Sequence, residues 1–416
     1  MKILFLNSYY KPDQFSSFHL GENLRQAIAD AGHTMELYTP YPTRNVSDET
    51  RRDIIKHHKT EYELDGKLKV HRFPLYRESR RTISRLFRYV FLEFEHLWFA
   101  LRAKDVDLWP VTSTPPINGL VAVFINKVKK IPYVFTVQDM FPESLVAAGM
   151  TKEGSFLCKI GNWVSNTTYK HAAHIIVISD SMKDTLIQKG VPAEKITVIY
   201  NWIDTEATVP VAREDNVLFD ELGLDRSKFY LTYAGNLGNS QNVEILVECA
   251  KAVQDKEDIQ FVIFGGGSEK AALEKTIAES GLTNIHLFPL QPLERVSQVY
   301  SLGDASFVTC KKGIGVGAFP SKAVSILATA TPIIASFDAD SDLSRLLADN
   351  QAGLCADAED VQGAIDAVLT LYNDRELCRR YGENARRLAC QRFSKESGTA
   401  AKVALFEQYA KKPKAK

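Results

Sequence analysis

The sequence predicts an α/β chain of two doubly wound domains, and three observations carry that expectation. Apolar runs of strand length alternate with amphipathic stretches of helix length along most of the chain. The alternation breaks once, over a charged and weakly periodic stretch at 205–228. The 416 residues also exceed a single domain of roughly 100–200 residues.

Composition narrows the class. At 45% hydrophobic and 25% charged, the chain has the make-up of a globular protein, which excludes disorder as its main state. Basic and acidic residues balance at 51 each, so no global excess points to nucleic acid. The six cysteines form no CxxC pair and have no metal-ligand spacing, which fits a reduced, cytoplasmic protein. The start, MKILFLNSYY, has too short an apolar run for a signal peptide. The longest uncharged run, 108–126, contains Pro110, Pro115 and Pro116 and reads as strand, loop and helix start.

Residues 2–8 form a near-continuous apolar run, the pattern of a strand covered on both faces. A polar loop follows, then a helix with Leu20, Leu24, Ala27, Ile28 and Ala31 on one face, ended by Gly32. With a strand at 34–39 this is a βαβ unit. Ligands in such sheets sit at the carboxyl ends of strands, so the loop 11–21, with Ser16 and Ser17, is a candidate site wall. Residues 66–104 carry ten Lys or Arg against three Glu. Arg77, Arg81, Arg85 and Arg88 share one helical face; Ile83, Phe87, Val90, Phe91, Phe94 and Trp98 share another. Either the two faces suit an anionic membrane surface, or the apolar one packs into the core and the arginines are solvated.

Two further strands, within 106–113 and at 133–137, run into the loops STPP and QDMFPES. Asp139 and Glu143 are the carboxylates there, and they read either as site groups or as turn-forming and capping residues. Residues 196–204 read as a strand leaving the domain. A second sheet starts at 229–235, followed by the loop from Gly235 through Asn236 to Gly238, with Asn242 as N-cap of a helix at 243–254. The strand 260–267 ends in three glycines, Gly265 and Gly266 among them. The strand 305–310 leads into GIGVGAFPSKAVSILATATP, residues 313–332. There a glycine-rich loop precedes a helix opened by Pro320 and Ser321, with Lys322 in the first turn. Unpaired N–H groups and partial positive charge at a helix start suit a phosphate. The same pattern also makes an ordinary strand-loop-helix turn.

The motifs VQDMFPES (137–144), YNWID (200–204), YAGNLG (233–238), FGGGSE (264–269) and GVGAFPSKAVSILATATPIIAS (315–336), in this order and spacing, resemble the retaining GT-B glycosyltransferases of family four. Within them the pattern is similar to the branch building bacterial O-antigen, capsule and related polysaccharides, which includes N-acetyl-L-fucosamine transferases. The resemblance implies two Rossmann-like domains facing a central crevice. Residues 1–204 would bind the acceptor and 205–228 would be a linker. Residues 229–394 would bind the nucleotide-sugar, and 395–416 would be a helix crossing back, with a basic tail.

The resemblance also implies a UDP-sugar donor, retention and no metal. The donor site would comprise Gly235, Asn236, Gly238, Gln241, Gly265, Gly266, Leu290, Gly317, Ala318, Phe319, Pro320, Ser321 and Ser325. Asp139, Glu143 and Lys322 would be the catalytic groups, with Lys322 the main charge on the diphosphate. The acceptor would be a lipid-linked saccharide, met by Ser16 and Ser17. Arg77, Arg81, Arg85 and Arg88 would hold its phosphates or an anionic membrane surface, making the protein peripheral at the inner face of the cell membrane. The chain departs from the family where paired glutamates are usual: Gly317 and Ser325 stand there. Asn236 and Gln241 replace a basic pair, and Gln138 replaces a histidine. A grip by backbone rather than carboxylate favours an N-acetylated hexosamine or deoxyhexosamine. A UDP-sugar epimerase of the same fold, or a non-catalytic nucleotide-sugar-binding scaffold, are the competing readings.

Overall fold

A computed structural model describes residues 1–13, 18–44, 46–77, 82–147, 151–315 and 319–411, with backbone only at 82–86 and 147. The chain divides into two units, Met1–Ile199 with Thr399–Lys416, and Tyr200–Gly398.

In the first unit the strands are β1 (Lys2–Leu6), β2 (Thr34–Pro40), β3 (Thr60–Glu63), β4 (Leu68–Phe73), β5 (Trp109–Thr112), β6 (Tyr133–Val137), β7 (His174–Val177) and β8 (Ile196–Val198). The helices are α1 (Phe18–Asp30), α2 (Asp48–His57), α3 (Thr82–Arg102), α4 (Asn118–Lys129), α5 (Glu143–Ala147), α6 (Phe156–His171) and α7 (Asp180–Gln188). The strands form ladders in the orders β1-β2-β4-β3 and β5-β6-β7-β8, linked by a parallel bridge between Ile3 and Leu108. Only β3 runs antiparallel to its neighbour. Every residue of β6 and β7 is buried, as the continuous apolar runs require of strands with helices on both faces. Ser179 caps α7, its hydroxyl accepting from the Met182 N–H.

The second unit holds β9 (Phe229–Asn236), β10 (Ile259–Gly266), β11 (Ile285–Phe288), β12 (Ala305–Thr309), β13 (Ile333–Ser336) and β14 (Gly353–Ala356). Around them lie α8 (Leu218–Glu221), α9 (Glu244–Ala252), α10 (Lys270–Ser280), α11 (Val296–Ser301), α12 (Ser321–Ala328), α13 (Asp342–Asn350), α14 (Val361–Asn373) and α15 (Arg375–Arg392); the last helix, α16 (Lys395–Tyr409), begins here. The order is β11-β10-β9-β12-β13-β14, all parallel. The chain winds outward from β9 to β11, then resumes on the other side of β9. The strand order therefore reverses between β9 and β12, where such sheets open a crevice at their carboxyl ends.

Three sequence readings change here. Residues 205–228 lie within the second unit. Their charge hid buried Leu218 and Phe219, and the Arg213 guanidinium donates to the Arg226 and Lys228 carbonyls and to Asp304. Asn242 does not cap a helix: its φ is 48°, a left-handed conformation, whereas an N-cap is extended, and α9 starts at Glu244. The stretch 48–73, left unassigned, forms α2, β3 and β4.

Arg386 on α15 ties several segments of the second unit together. Its guanidinium donates to the carbonyls of Ala328 at 2.6 Å, Thr208 at 2.9 Å and Thr205 at 2.8 Å. Charge-assisted bonds to backbone carbonyls are the stronger kind, and their loss leaves acceptors unsatisfied. Arg386→Ala is expected to cost about 2–4 kcal/mol, read as a lowered urea midpoint at unchanged m value. A midpoint equal to that of the parent would show that water replaces the guanidinium.

Candidate active site

The crevice at the strand-order reversal is built by the chain itself. β9 and β12 pair only at Leu231–Ala305 and Thr232–Ser306; beyond these the strands part. On the other side, β9 and β10 stay paired to their ends, setting Gly265 beside Gly235 and Gly266 beside Asn236. The turn after β9 is fastened to the β10 end, with the Leu237 N–H donating to the Gly266 carbonyl at 2.9 Å. Asn236 Nδ2 donates to Gln241 Oε1 at 3.1 Å, and the Gln241 N–H donates back to the Gly238 carbonyl. Asn236, Gly238 and Gln241 are thus one cluster.

Lys322 reaches into the gap from the first turn of α12. The residue is half-buried, yet its Nζ has no free surface and finds no hydrogen-bond acceptor among the described residues. Nζ lies 4.0 Å from the centre of the Tyr233 ring, and a Cβ on Gly235 would stand 3.1 Å from it. Gly235 also has a φ of 147°, which side chains disfavour, so glycine serves both backbone and neighbour there. Desolvation pulls the Lys322 pKa down to about 8. Burial moves the Tyr233 phenol the other way, and its hydroxyl donates to the Asn236 carbonyl at 2.9 Å. A buried ammonium with only a ring face for company is poised for an anion.

Pro320 stands at the cap position of α12, and no side chain caps the helix. Ser321 is exposed and Ser325, one turn on, is half-buried. The Phe319 ring packs on Tyr200 and Phe393. Leu290 is exposed beyond β11.

Sequence reasoning missed Asp338. This carboxylate, 5% exposed, accepts from the Gly313 N–H at 2.8 Å and the Gly315 N–H at 2.7 Å, pinning the loop that leads to α12. The only sequence signal was an Asp just beyond a buried strand.

In the first unit, Asp139 is exposed at the carboxyl end of β6, and the Gln138 and Asp139 N–H groups donate to Ser113 Oγ. Glu143 starts α5 and pairs with Lys189. The expected arginine face does not form. Arg77 precedes α3, which starts at Thr82, and pairs with Asp48. Arg88 is only 2% exposed; it donates to the Tyr76 carbonyl and lies over the Tyr9 ring. Ser16, Ser17, Arg81, Gly317, Ala318 and the Arg85 side chain lie outside the described residues.

Among the described residues no three His, Cys, Asp or Glu side chains group to hold a metal, and no helix is long and apolar enough to cross a membrane. All six cysteines are free.

Two family models match in tandem: a glycosyl transferase 4-like domain over residues 22–202 and a glycosyl transferases group 1 domain over 215–388. The chain belongs to the GT-B glycosyltransferases. This glycosyltransferase is 26% identical over 400 residues to WcaI of Escherichia coli K12, a putative colanic acid biosynthesis glycosyl transferase, covering 92% of this chain and 96% of that one. It is 27% identical over 253 residues to WbjE of Pseudomonas aeruginosa, a probable glycosyltransferase, covering 61% of this chain and 62% of the relative. Among solved structures, Anabaena Alr3699/HepE in complex with UDP superposes with a TM-score of 0.72 at 16% identity, covering 98% and 100% of the two chains. At that identity the likeness shows the shared fold.

Proposed function

We propose that this glycosyltransferase moves an N-acetylated hexosamine or deoxyhexosamine, with retention, from a UDP-sugar to a lipid-linked saccharide in bacterial surface polysaccharide synthesis. The observation that carries the reading is Lys322 Nζ, desolvated and without an acceptor among the described residues at the strand-order reversal. The UDP in the HepE structure and the colanic acid role in the WcaI name support the donor and the pathway class.

In this reading the diphosphate lies against the Lys322 ammonium, the open N–H groups at the start of α12, and the Gly235, Asn236, Gly238 and Gln241 cluster. The bond from the anomeric carbon to the phosphate oxygen breaks, and the acceptor hydroxyl oxygen bonds to that carbon on the same face. The hydroxyl proton passes to the departing phosphate, so no protein nucleophile is required. The protein's share is to stabilise charge developing on UDP, with no metal. Gly265 and Gly266 close one wall, and Leu290 meets the base through its backbone. The family resemblance assigns Gly317, Ala318, Phe319, Pro320 and Ser321 to the sugar side. Ser325 takes a ribose contact. Asp139 orients the acceptor hydroxyl or the sugar, and Glu143, held by Lys189, fixes the loop that carries it. Where the family uses carboxylates on the sugar, Gly317 and Ser325 leave a less polar grip, which favours an acetamido sugar such as N-acetylfucosamine.

A thermal-shift screen against UDP, GDP and their sugars tests the donor class. Stabilisation by UDP and by UDP-N-acetylhexosamines or deoxyhexosamines is expected. A response to GDP-sugars with none to UDP-sugars overturns it. UDP release with a lipid-linked saccharide acceptor tests turnover; tight binding with no release on any such acceptor leaves a nucleotide-sugar-binding scaffold instead.

A further inference from the structure

Helix α3 is built inside out. Its buried side holds Arg88, Glu93 and His96 beside Leu92 and Ala100, and Glu93 and His96 keep buried atoms without hydrogen-bond partners. Its outer side carries Phe87, Phe91, Phe94 and Trp98, with Phe94 64% and Trp98 52% exposed. A water-facing helix has the opposite arrangement.

Exposed apolar side chains continue on the helices beside it. Helix α4 packs against both α3 and α6. Lys129 at its end donates to the Leu101 and Ala103 carbonyls at the end of α3, and Gly119 at its start lies so close to α6 that a Cβ there would meet Thr168 at 2.2 Å. Ala100 of α3, Ala122, Val123 and Ile125 of α4 and Tyr169 of α6 share one core with β5, β6 and β7, so the three helices cover one side of that ladder. On that side α4 exposes Phe124 and Val128. Helix α6 exposes Phe156 (79%), Leu157, Ile160 and Trp163 (60%). An exposed apolar surface of this extent marks an interaction site.

We propose that this outer face of α3, α4 and α6 docks the enzyme on an anionic phospholipid bilayer. Charge selects the occupant. Helices α4 and α6 carry Lys127, Lys129, Lys159 and Lys170 and no acidic residue, and Arg102 lies over the Trp98 ring at 4.1 Å. On α3, Glu93 is buried and Glu95 half-buried, so few carboxylates face outward. Apolar side chains, tryptophans and basic groups on one face match the headgroup region of an anionic membrane. A second copy would set lysines against lysines. The expected basic face of Arg77 to Arg88 is thereby replaced: the anchor is aromatic, and it spans three helices.

The inference rests on the lipid-linked acceptor proposed above, and it is tested apart from transfer. Full-length protein is sedimented with vesicles of phosphatidylglycerol and phosphatidylethanolamine, or of phosphatidylcholine alone. The parent is expected to pellet with the anionic vesicles and to be released by salt. Phe94→Ser with Trp98→Ser, and separately Phe156→Ser with Trp163→Ser, are each expected to weaken vesicle binding by about tenfold or more, with the thermal response to UDP unchanged. Equal sedimentation of parent and variants, or no vesicle binding by the parent, overturns the inference. So does a parent dimer that both variants convert to monomer, which would assign the face to a second copy. Vesicle binding lost in the variants while no lipid-linked acceptor is glycosylated upholds the inference and removes the acceptor reading. Transfer to an acceptor in detergent without vesicle binding by the parent does the reverse.

Discussion

Lys322→Met is expected to stabilise the ligand-free protein while removing its response to UDP. The two effects share a cause. The ammonium is desolvated and, among the described residues, has the Tyr233 ring at 4.0 Å and no hydrogen-bond acceptor, so folding disfavours its charge and lowers its pKa from 10.5 to about 8. The unfolded chain therefore binds more protons between pH 8 and 10.5, and the stability of the parent rises with pH across that window. Below pH 8 both states are charged and the full penalty stands, so Met is expected to gain about 1–3 kcal/mol there. The gain fades as pH rises and is gone above 10.5, where both states are neutral. Ligand binding has the opposite sign. A bound diphosphate favours the charged amine, so UDP affinity falls by up to about tenfold per pH unit as the pH rises above 8. Loss of such a charged donor costs about 2.7–4 kcal/mol in the barrier to transfer, judged by oxyanion-hole examples. Thermal melts of parent and variant across this pH range, with and without UDP, read both effects. Equal melting temperatures at neutral pH would remove the buried-charge argument, and an unchanged response to UDP would remove the diphosphate role.

The strands were legible because burial on both faces leaves a continuous apolar run, as in β6 and β7. The start of α12 was legible because Pro, Ser and Lys after glycines have few other arrangements. Strand order was not, since pairing β9 with β12 joins residues more than seventy positions apart. β3 was missed because TEYE, an edge strand with exposed alternate residues, reads as polar loop. Asn242 was misread because Asn favours both the N-cap and the left-handed turn. The stripe on α3 was read correctly as a stripe, but periodicity does not say which side is inside. Burial of Arg88, Glu93 and His96 reverses the ordinary rule, and no local pattern announces that. Asp338 was hidden for the same kind of reason: its partners are Gly313 and Gly315, and only the packing of β13 beside β12 brings them together.

Asp338→Ala is expected to weaken the UDP-sugar site without touching any group that meets the diphosphate. The carboxylate holds the glycine loop at two points, one oxygen on the Gly313 N–H and the other on the Gly315 N–H. Gly315 is pressed close beneath it, for a Cβ there would stand 2.5 Å from the Phe337 ring and 3.0 Å from the Asp338 carboxylate. Alanine leaves both N–H groups without their acceptor; the buried Gly315 N–H costs about 1–3 kcal/mol, and the exposed Gly313 N–H costs less because water can replace the carboxylate. An opened loop no longer presents the start of α12 in one arrangement, so the KM for the UDP-sugar is expected to rise about tenfold. Asparagine keeps one acceptor and turns an NH2 toward the second N–H, so Asp338→Asn should recover only part of the loss. Because Lys322 is intact, the fall in UDP affinity above pH 8 should persist in both variants. Kinetics and melts together separate the possibilities. A lowered melting temperature with unchanged KM makes Asp338 a purely structural residue, whereas a raised KM that asparagine partly restores makes it the residue that sets the donor loop.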